Sequence, residues 1–128
     1  MLYVKTVIKQ SLLHGTGLFA DQRIAKGALI SKFEPGFDIF ITAEKYASLP
    51  EAAKSFFDHY GYWSKELNGY VCSADNHRFT NHSTNPSVGT VGAKEGDDGD
   101  DIALRDIEPG EEITVDYRVF GEDPEQTT

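Results

Sequence analysis

Hydrophobic residues along this chain come in short bursts cut by glycine, proline and asparagine, and only one stretch has the spacing of a helix. Residues 3–8 are rich in β-branched and aromatic side chains, with Lys5 and Thr6 interspersed, and predict a strand. A loop over residues 11–17 follows, then a second predicted strand over 18–23. Lys26-Gly27 reads as a turn, residues 28–33 as a third strand, and Glu34-Pro35-Gly36 ends it. Further short strands are predicted over residues 70–72, 88–91, 102–105 and 113–115.

Helix is confined to the middle of the chain. Thr42 can cap a short helix with Glu44 in its first turn, because a threonine hydroxyl accepts from a backbone N–H left free at a helix start. Leu49-Pro50 interrupts that helix. Pro50 suits the first position of a second one, running through Ala52, Ala53, Phe56 and Phe57, where its missing N–H costs nothing. Many short strands beside two short helices predict a mainly β domain. At 128 residues one domain is expected, over residues 1–120, with polar residues 121–128 as a tail. A hydrophobic fraction of 39%, with eight Phe and six Tyr, suffices for a core.

Charge narrows the list of partners. Twenty-one acidic residues against 12 basic ones give a net charge of −9. No direct nucleic-acid binding is expected, since that needs cations to neutralise phosphates, and an anionic membrane surface is disfavoured for the same reason. A basic partner suits this field, although acidity often serves solubility alone. The acidity peaks over residues 95–101, where like charges and glycines predict a mobile loop joining two strands. The ligand order of a calcium-binding EF-hand is not present there.

Cys72 is the only cysteine, which excludes an internal disulfide and a cysteine-rich zinc cluster and fits a reducing compartment. In a strand-like segment it reads as a small buried hydrophobe. His59 and His77 lack metal-ligand spacing, so no metal site is expected. No apolar run approaches the ~20 residues of a membrane span. Residues 1–5 have no signal-peptide layout, and a cytoplasmic location is expected.

Three segments carry candidate chemistry. His14-Gly15-Thr16-Gly17-Leu18-Phe19-Ala20 formally matches a dinucleotide fingerprint, but Lys26-Gly27 follows too soon for the crossover helix that fingerprint requires. What remains is a glycine loop whose backbone can approach a ligand. Arg78-Phe79-Thr80-Asn81-His82-Ser83-Thr84-Asn85-Pro86 is the second. A polar turn would account for its Asn and Ser, but not for Arg78 and His82 beside Phe79. Glu111-Glu112-Ile113-Thr114-Val115-Asp116-Tyr117 is the third, and alone it would pass as an ordinary alternating strand.

In this order, over roughly residues 3–120, the three segments resemble the SET-domain protein-lysine methyltransferases, whose motifs read GxG, RFxNHxxxPN and ELTxDY. The resemblance implies a β-clip fold of several small curved sheets with short helices. It also implies a C-terminal pseudoknot, in which the last segment threads beneath a preceding loop and brings Asn81-His82 beside Tyr117. The implied cofactor is S-adenosyl-L-methionine. The backbone of His14, Gly15, Thr16 and Gly17 would meet its amino-acid end. Arg78 and Asn81 would engage its methionine portion, in a segment that includes Phe79, and the His82 backbone would meet the adenine edge. Phe120 would pack on the adenine.

Tyr117 would stand at the methyl-transfer channel, and Tyr62 is preferred as a second channel residue over Tyr60, Trp63 and Phe33. Core packing is the other reading of each of these aromatics. The implied substrate is a lysine in a basic protein or peptide. The alternative is a SET-like module that binds cofactor or a basic peptide with little or no catalysis. Two departures from the family keep it open. Ser87 stands where an Asn usually follows the Pro, and the zinc-binding cysteines that close the channel in many members are missing. A partner chain, including a second copy in a homo-oligomer, could supply that wall.

The residue types suit the implied chemistry. Methyl transfer is an in-line displacement that depends on alignment. The attacking lysine, with an ordinary pKa of about 10.4, must first become neutral, and a desolvating aromatic channel favours that form. A phenol can orient the amine without competing as a nucleophile.

Overall fold

The computed structural model of the chain describes residues 1–117; Phe120 and the tail over 121–128 lie outside the described residues. In chain order the strands are β1 (Thr6–Gln10), β2 (Thr16–Ala20), β3 (Leu29–Lys32), β4 (Ile39–Ile41), β5 (Tyr62–Ser64), β6 (Gly69–Cys72), β7 (Asn81–His82), β8 (Val88–Val91), β9 (Asp100–Ala103) and β10 (Glu112–Val115). Two helices, α1 (Ala43–Ala47) and α2 (Glu51–Tyr60), separate β4 from β5, and a 3-10 turn spans Asn76–Phe79. The strands sort into three sheets, ordered β1-β2-β10-β7, β3-β9-β8 and β4-β6-β5. This is the mainly β, several-sheet architecture the motifs imply.

The first sheet fixes the site. β1 and β2 form an antiparallel hairpin from Thr6 opposite Ala20 to Gln10 opposite Thr16. β10 adds to β2 antiparallel, with Ile113 opposite Leu18, and to β7 parallel, with Thr114 opposite Asn81. Parallel neighbours need a long crossover. Here the crossover carries β8 and β9, so the chain returns and seats β10 between two earlier strands. Ser83 N–H extends the β7 pairing by donating to the Val115 carbonyl at 2.9 Å. The inserted β10 joins the β1-β2 hairpin to the segment that begins at Asn81.

Leu18, Ile30, Val88, Ile107 and Ile113 form the heart of one apolar cluster, each almost wholly buried. A second cluster gathers Phe57, Trp63, Tyr70 and Cys72 beneath the helices. Burying an aliphatic side chain contributes about 1.5–3 kcal/mol, so the five in the first cluster hold β2 and β10 of one sheet against β3 and β8 of another. Ser87 is fully buried and ties β8 to β10: its Oγ accepts from Thr114 N–H at 3.0 Å, and its own N–H donates to Thr114 Oγ1 at 3.2 Å. The departure from the family's asparagine is thus a closed hydrogen-bonded pair.

Several element boundaries differ from expectation. β1 starts at Thr6 rather than residue 3, because Tyr3 N–H donates to Ile30 and Leu2 bridges to Ser31 on another sheet. β2 starts two residues early and takes in Thr16 and Gly17, and it stops at Ala20. β9 lies two residues before its predicted place, and Pro50 precedes α2 instead of opening it. β4 and β5 were not predicted. Each is three residues long and is a strand only because it pairs with β6.

The acidic run is not a loose connector. Gly96 N–H donates to Glu66 at 2.8 Å, and Asp97 Oδ1 accepts from Gly99 N–H at 2.9 Å. Asp98 accepts from Tyr62 Oη and, at 2.6 Å, from Ser64 Oγ, while Asp101 enters β9. Hydroxyl donors replace the water these carboxylates lose, which overrides their mutual repulsion. Burial raises the Asp98 pKa, and its two hydroxyl partners only partly offset this. Among the described residues no group of His, Cys, Asp and Glu is arranged to hold a metal ion. No helix among them is long and apolar enough to cross a membrane.

Candidate functional site

β7 sets Asn81 beside Thr114, one strand away from the glycine loop. Its buried side chain turns toward that loop. Nδ2 lies 2.9 Å from the His14 carbonyl, 3.2 Å from the Thr16 carbonyl and 2.9 Å from Glu112 Oε2. All three are pure acceptors, so the amide nitrogen must face them and the amide oxygen faces away. Among the described residues that oxygen has no hydrogen-bond partner. Glu112 also accepts from Ser11 Oγ at 2.7 Å, and Ser11 Oγ takes Leu13 N–H at 2.9 Å. Ser11, Glu112 and Asn81 therefore gather both ends of the loop onto β10.

Two glycines are required by this arrangement. A Cβ on Gly17 would sit 2.5 Å from Glu112 Oε2 and 3.0 Å from Asn81 Nδ2. Gly15 has φ +46°, left-handed backbone that most residues avoid, and a Cβ there would meet open space. The loop thus offers exposed backbone on one side and is anchored on the other.

Arg78 rides on the 3-10 turn, which packs against β1 and β2. Its guanidinium carbon lies 5.4 Å from the ring centre of Phe79, 5.8 Å from Phe56 and 5.9 Å from Tyr60. These faces attract a planar cation but give its in-plane N–H groups nothing to bond. The Nε is buried and has no hydrogen-bond partner among the described residues. A buried N–H in that state costs on the order of 1–3 kcal/mol, which an anionic ligand would recover. Burial raises the pKa of nearby Cys72, and the Arg78 charge only partly opposes it, which disfavours the thiolate.

Tyr117 closes the far end. Its N–H donates to His82 Nδ1 at 2.9 Å, and the two rings stand 5.2 Å apart. Nδ1 is therefore an acceptor and the ring hydrogen sits on Nε2. The 3.7 Å approach of Asp116 to the same nitrogen is too long for a hydrogen bond. The Tyr117 hydroxyl donates to the Thr80 carbonyl at 2.5 Å. Burial of the phenol raises its pKa, so it is neutral at physiological pH. Asn81-His82 and Tyr117 thus stand together, as the resemblance implies.

The other aromatics divide. Tyr62 Oη is engaged by Asp98, and burial followed by the Asp98 charge raises its pKa well above the ordinary value. With Phe33, His77 and Asp101 it lines a cavity of about 50 Å³. Trp63 is core, edge-on to Tyr70 at 5.1 Å, and Tyr60 stands edge-on to Phe79 at 5.6 Å. Phe120 falls outside the described residues. Reading the sequence missed Ser11 and Glu112. Glu112 falls in the third segment and Ser11 opens the predicted loop, but neither carries a local signal for their pairing, since the bond between them spans 101 positions.

A family model described as the SET domain matches residues 15–118. The chain belongs to the SET-domain family, whose members are generally protein-lysine methyltransferases. Among solved structures it is similar to a humanized mutant of the Chaetomium thermophilum Polycomb Repressive Complex 2 bound to an inhibitor, at 21% identity and TM-score 0.64. It is equally similar to an active polycomb repressive complex 2 in the basal state, at 21% identity and TM-score 0.65. In both cases the match covers 89% of this chain and 15% of the other, so the likeness is one of fold. No curated protein matches it in sequence.

Proposed function

We propose that this chain transfers a methyl group from S-adenosyl-L-methionine to a lysine side chain of a protein. The observation that carries the reading is the parallel pairing of β7 with β10, because one strand pair supports both the glycine loop and Tyr117. The residues present fit the cofactor. The unpartnered Arg78 Nε suits its carboxylate, and the Asn81 amide oxygen and exposed loop backbone suit its ammonium. When bound, the cofactor supplies a methyl group on a sulfonium, whose thioether leaves without acid assistance.

The remaining work falls to the protein. Tyr117 gives its hydrogen to Thr80, so its oxygen lone pairs are free to accept from an amine and orient it. The raised pKa keeps the phenol from ionising and pairing with a lysine ammonium, which must lose its proton to react. The net charge of −9 favours a lysine in a basic segment.

A second reading is a module that binds cofactor or a basic peptide without turnover. The 53% exposure of Tyr117 favours it, because a transfer channel has to exclude water. One experiment separates the two. The protein is incubated with S-adenosylmethionine and a basic lysine peptide, and peptide mass is followed beside calorimetric cofactor binding. A gain of one methyl group per modified lysine supports the first reading. Binding without a mass gain supports the second, and neither signal would sink both.

A further inference from the structure

His77 lies outside the cofactor motifs' roles, yet strand register delivers a row of polar side chains to it. Ser31, Asp101 and Thr90 stand side by side across β3, β9 and β8, because Ser31 pairs with Asp101 and Asp101 with Thr90. Asp101 accepts from Thr90 Oγ1 at 2.6 Å and from Ser31 Oγ at 2.9 Å. His77 Nε2 caps the row, 3.0 Å from Ser31 Oγ and 3.3 Å from Asp101 Oδ2. Its main-chain N–H donates to Asp75 Oδ1 at 3.1 Å, so ring and backbone are both fixed.

The other edge of the ring meets Thr80. His77 Nδ1 lies 3.1 Å from Thr80 Oγ1. That hydroxyl also donates to the His77 carbonyl at 2.6 Å, so Thr80 Oγ1 sits between the ring edge and the main chain of one residue. The Thr80 N–H donates to the same carbonyl at 3.1 Å. Thr80 is held by all these contacts to one residue, and its own carbonyl is left to receive the Tyr117 hydroxyl.

We propose that His77 is a positioning residue for methyl transfer: acting through Thr80, it fixes the carbonyl that orients the Tyr117 hydroxyl. This rests on the proposed function. Rotation of the peptide after Thr80 would swing the acceptor, and the Tyr117 lone pairs would turn with it. Alignment at a reacting centre tolerates little displacement, and a 1 Å error costs on the order of a hundredfold. The polar row on the β3-β9-β8 sheet is the anvil that holds the ring still. His77 itself touches neither amine nor cofactor.

The test compares His77→Ala, His77→Asn and His77→Gln. An asparagine amide reaches the place of Nδ1 and can hydrogen-bond Thr80 Oγ1. A glutamine amide nitrogen reaches the place of Nε2 and can rebuild only the contacts to Ser31 and Asp101. Alanine is expected to lower kcat about tenfold or more, with KM for peptide and cofactor within about threefold. Asparagine should recover most of the rate, and glutamine should recover melting temperature without the rate. Glutamine rescuing the rate as well as asparagine, or rate falling only in step with melting temperature, would overturn the proposal.

A second readout does not need turnover. In protein carrying isotope-labelled tyrosine, with the Tyr117 signal assigned by its loss in Tyr117→Phe, the alanine variant should move that signal and the asparagine variant restore it. An unmoved Tyr117 signal in His77→Ala also overturns the proposal. Should wild-type protein transfer no methyl group, the proposed function fails and this signal alone decides the role of His77.

Discussion

Tyr117 donates its phenolic hydrogen to the main-chain carbonyl of Thr80 at 2.5 Å, across 37 positions of sequence. The bond settles which way the hydroxyl points, since a phenol has one hydrogen and it is spent on Thr80. Removing the oxygen should therefore act on the reaction more than on binding. Tyr117→Phe is expected to lower kcat by about tenfold to a hundredfold, the range of a lost hydrogen bond to a charged or developing group. The cofactor dissociation constant, measured by calorimetry, should change less than about threefold. Equal losses in both, with a lower melting temperature, would make Tyr117 a packing residue.

The Asn81 side chain bonds both the glycine loop and Glu112, through the His14 and Thr16 carbonyls and Glu112 Oε2. Asn81→Ala takes one donor from the Glu112 carboxylate and the same donor from two loop carbonyls, and is expected to destabilise by about 1–3 kcal/mol and to weaken cofactor binding. Asn81→Asp should be worse at neutral pH, because two carboxylates then face each other. Its deficit should shrink near pH 4, where one of the pair takes up a proton. Urea denaturation at both pH values measures this, and a pH-independent deficit would show that charge is not the cause.

Ser87 offers a cleaner stability test, being far from solvent. Ser87→Ala strands the Thr114 N–H and should cost about 1–3 kcal/mol. The larger asparagine found in the family should not restore it, because Ser87 is fully buried and added volume there forces strain. Equilibrium denaturation of both variants decides; a stabilised asparagine variant would mean the site has room.

Acid stability should carry two opposed contributions. Burial pushes the Asp101 pKa up, but hydrogen bonding and charge from His77, with Thr90 and Ser31, outweigh it and leave the pKa lowered. The folded state then binds fewer protons than the unfolded one. Asp101 contributes stability above its unfolded pKa of about 3.9, and this is lost as pH falls through the lower folded value. Asp98, raised by burial, does the reverse: its contribution grows as pH falls. Asp101→Asn should flatten the loss of stability on acidification, and Asp98→Asn should steepen it. Denaturation midpoints measured from neutral pH down to about pH 3 would show both slopes, and slopes of the same sign would contradict the account.

An acidic surface predicts a salt-dependent substrate preference. A basic lysine peptide should show a kcat/KM that falls as ionic strength rises, and an acidic peptide of matched length should be poorer at low salt. Equal rates for both peptides would mean that the charge serves solubility alone.

What the sequence made legible is what lies in contiguous residues. The glycine loop, the segment from Arg78 to Pro86 and the strand ending at Tyr117 each keep their chemistry within a few positions, so their joint order identifies the fold and places Asn81-His82 near Tyr117. Contacts between distant residues were not legible. β4 and β5 exist through β6, and Ser11 meets Glu112 only because β10 is inserted beside β2. The acidic run looked loose because the hydroxyls of Tyr62 and Ser64 that hold it lie more than thirty positions earlier. The partner of the Tyr62 hydroxyl, Asp98, lies 36 positions later and has no local signal either. His77 lacks metal-ligand spacing, and its ring partners Ser31 and Asp101 come from two distant strands, β3 and β9.

The seating of β10 between β2 and β7 also dictates an order of assembly. Glu112 anchors the glycine loop, and Ile113 and Val115 complete the first apolar cluster, so neither pocket nor core is finished until this late segment arrives. A chain emerging from the ribosome would hold Leu18 and Val88 without their final cover while the intervening strands form. Closing so long a loop is slow relative to local hairpins. Docking of β10 thus completes the anchor of the glycine loop and the cover of the apolar cluster together.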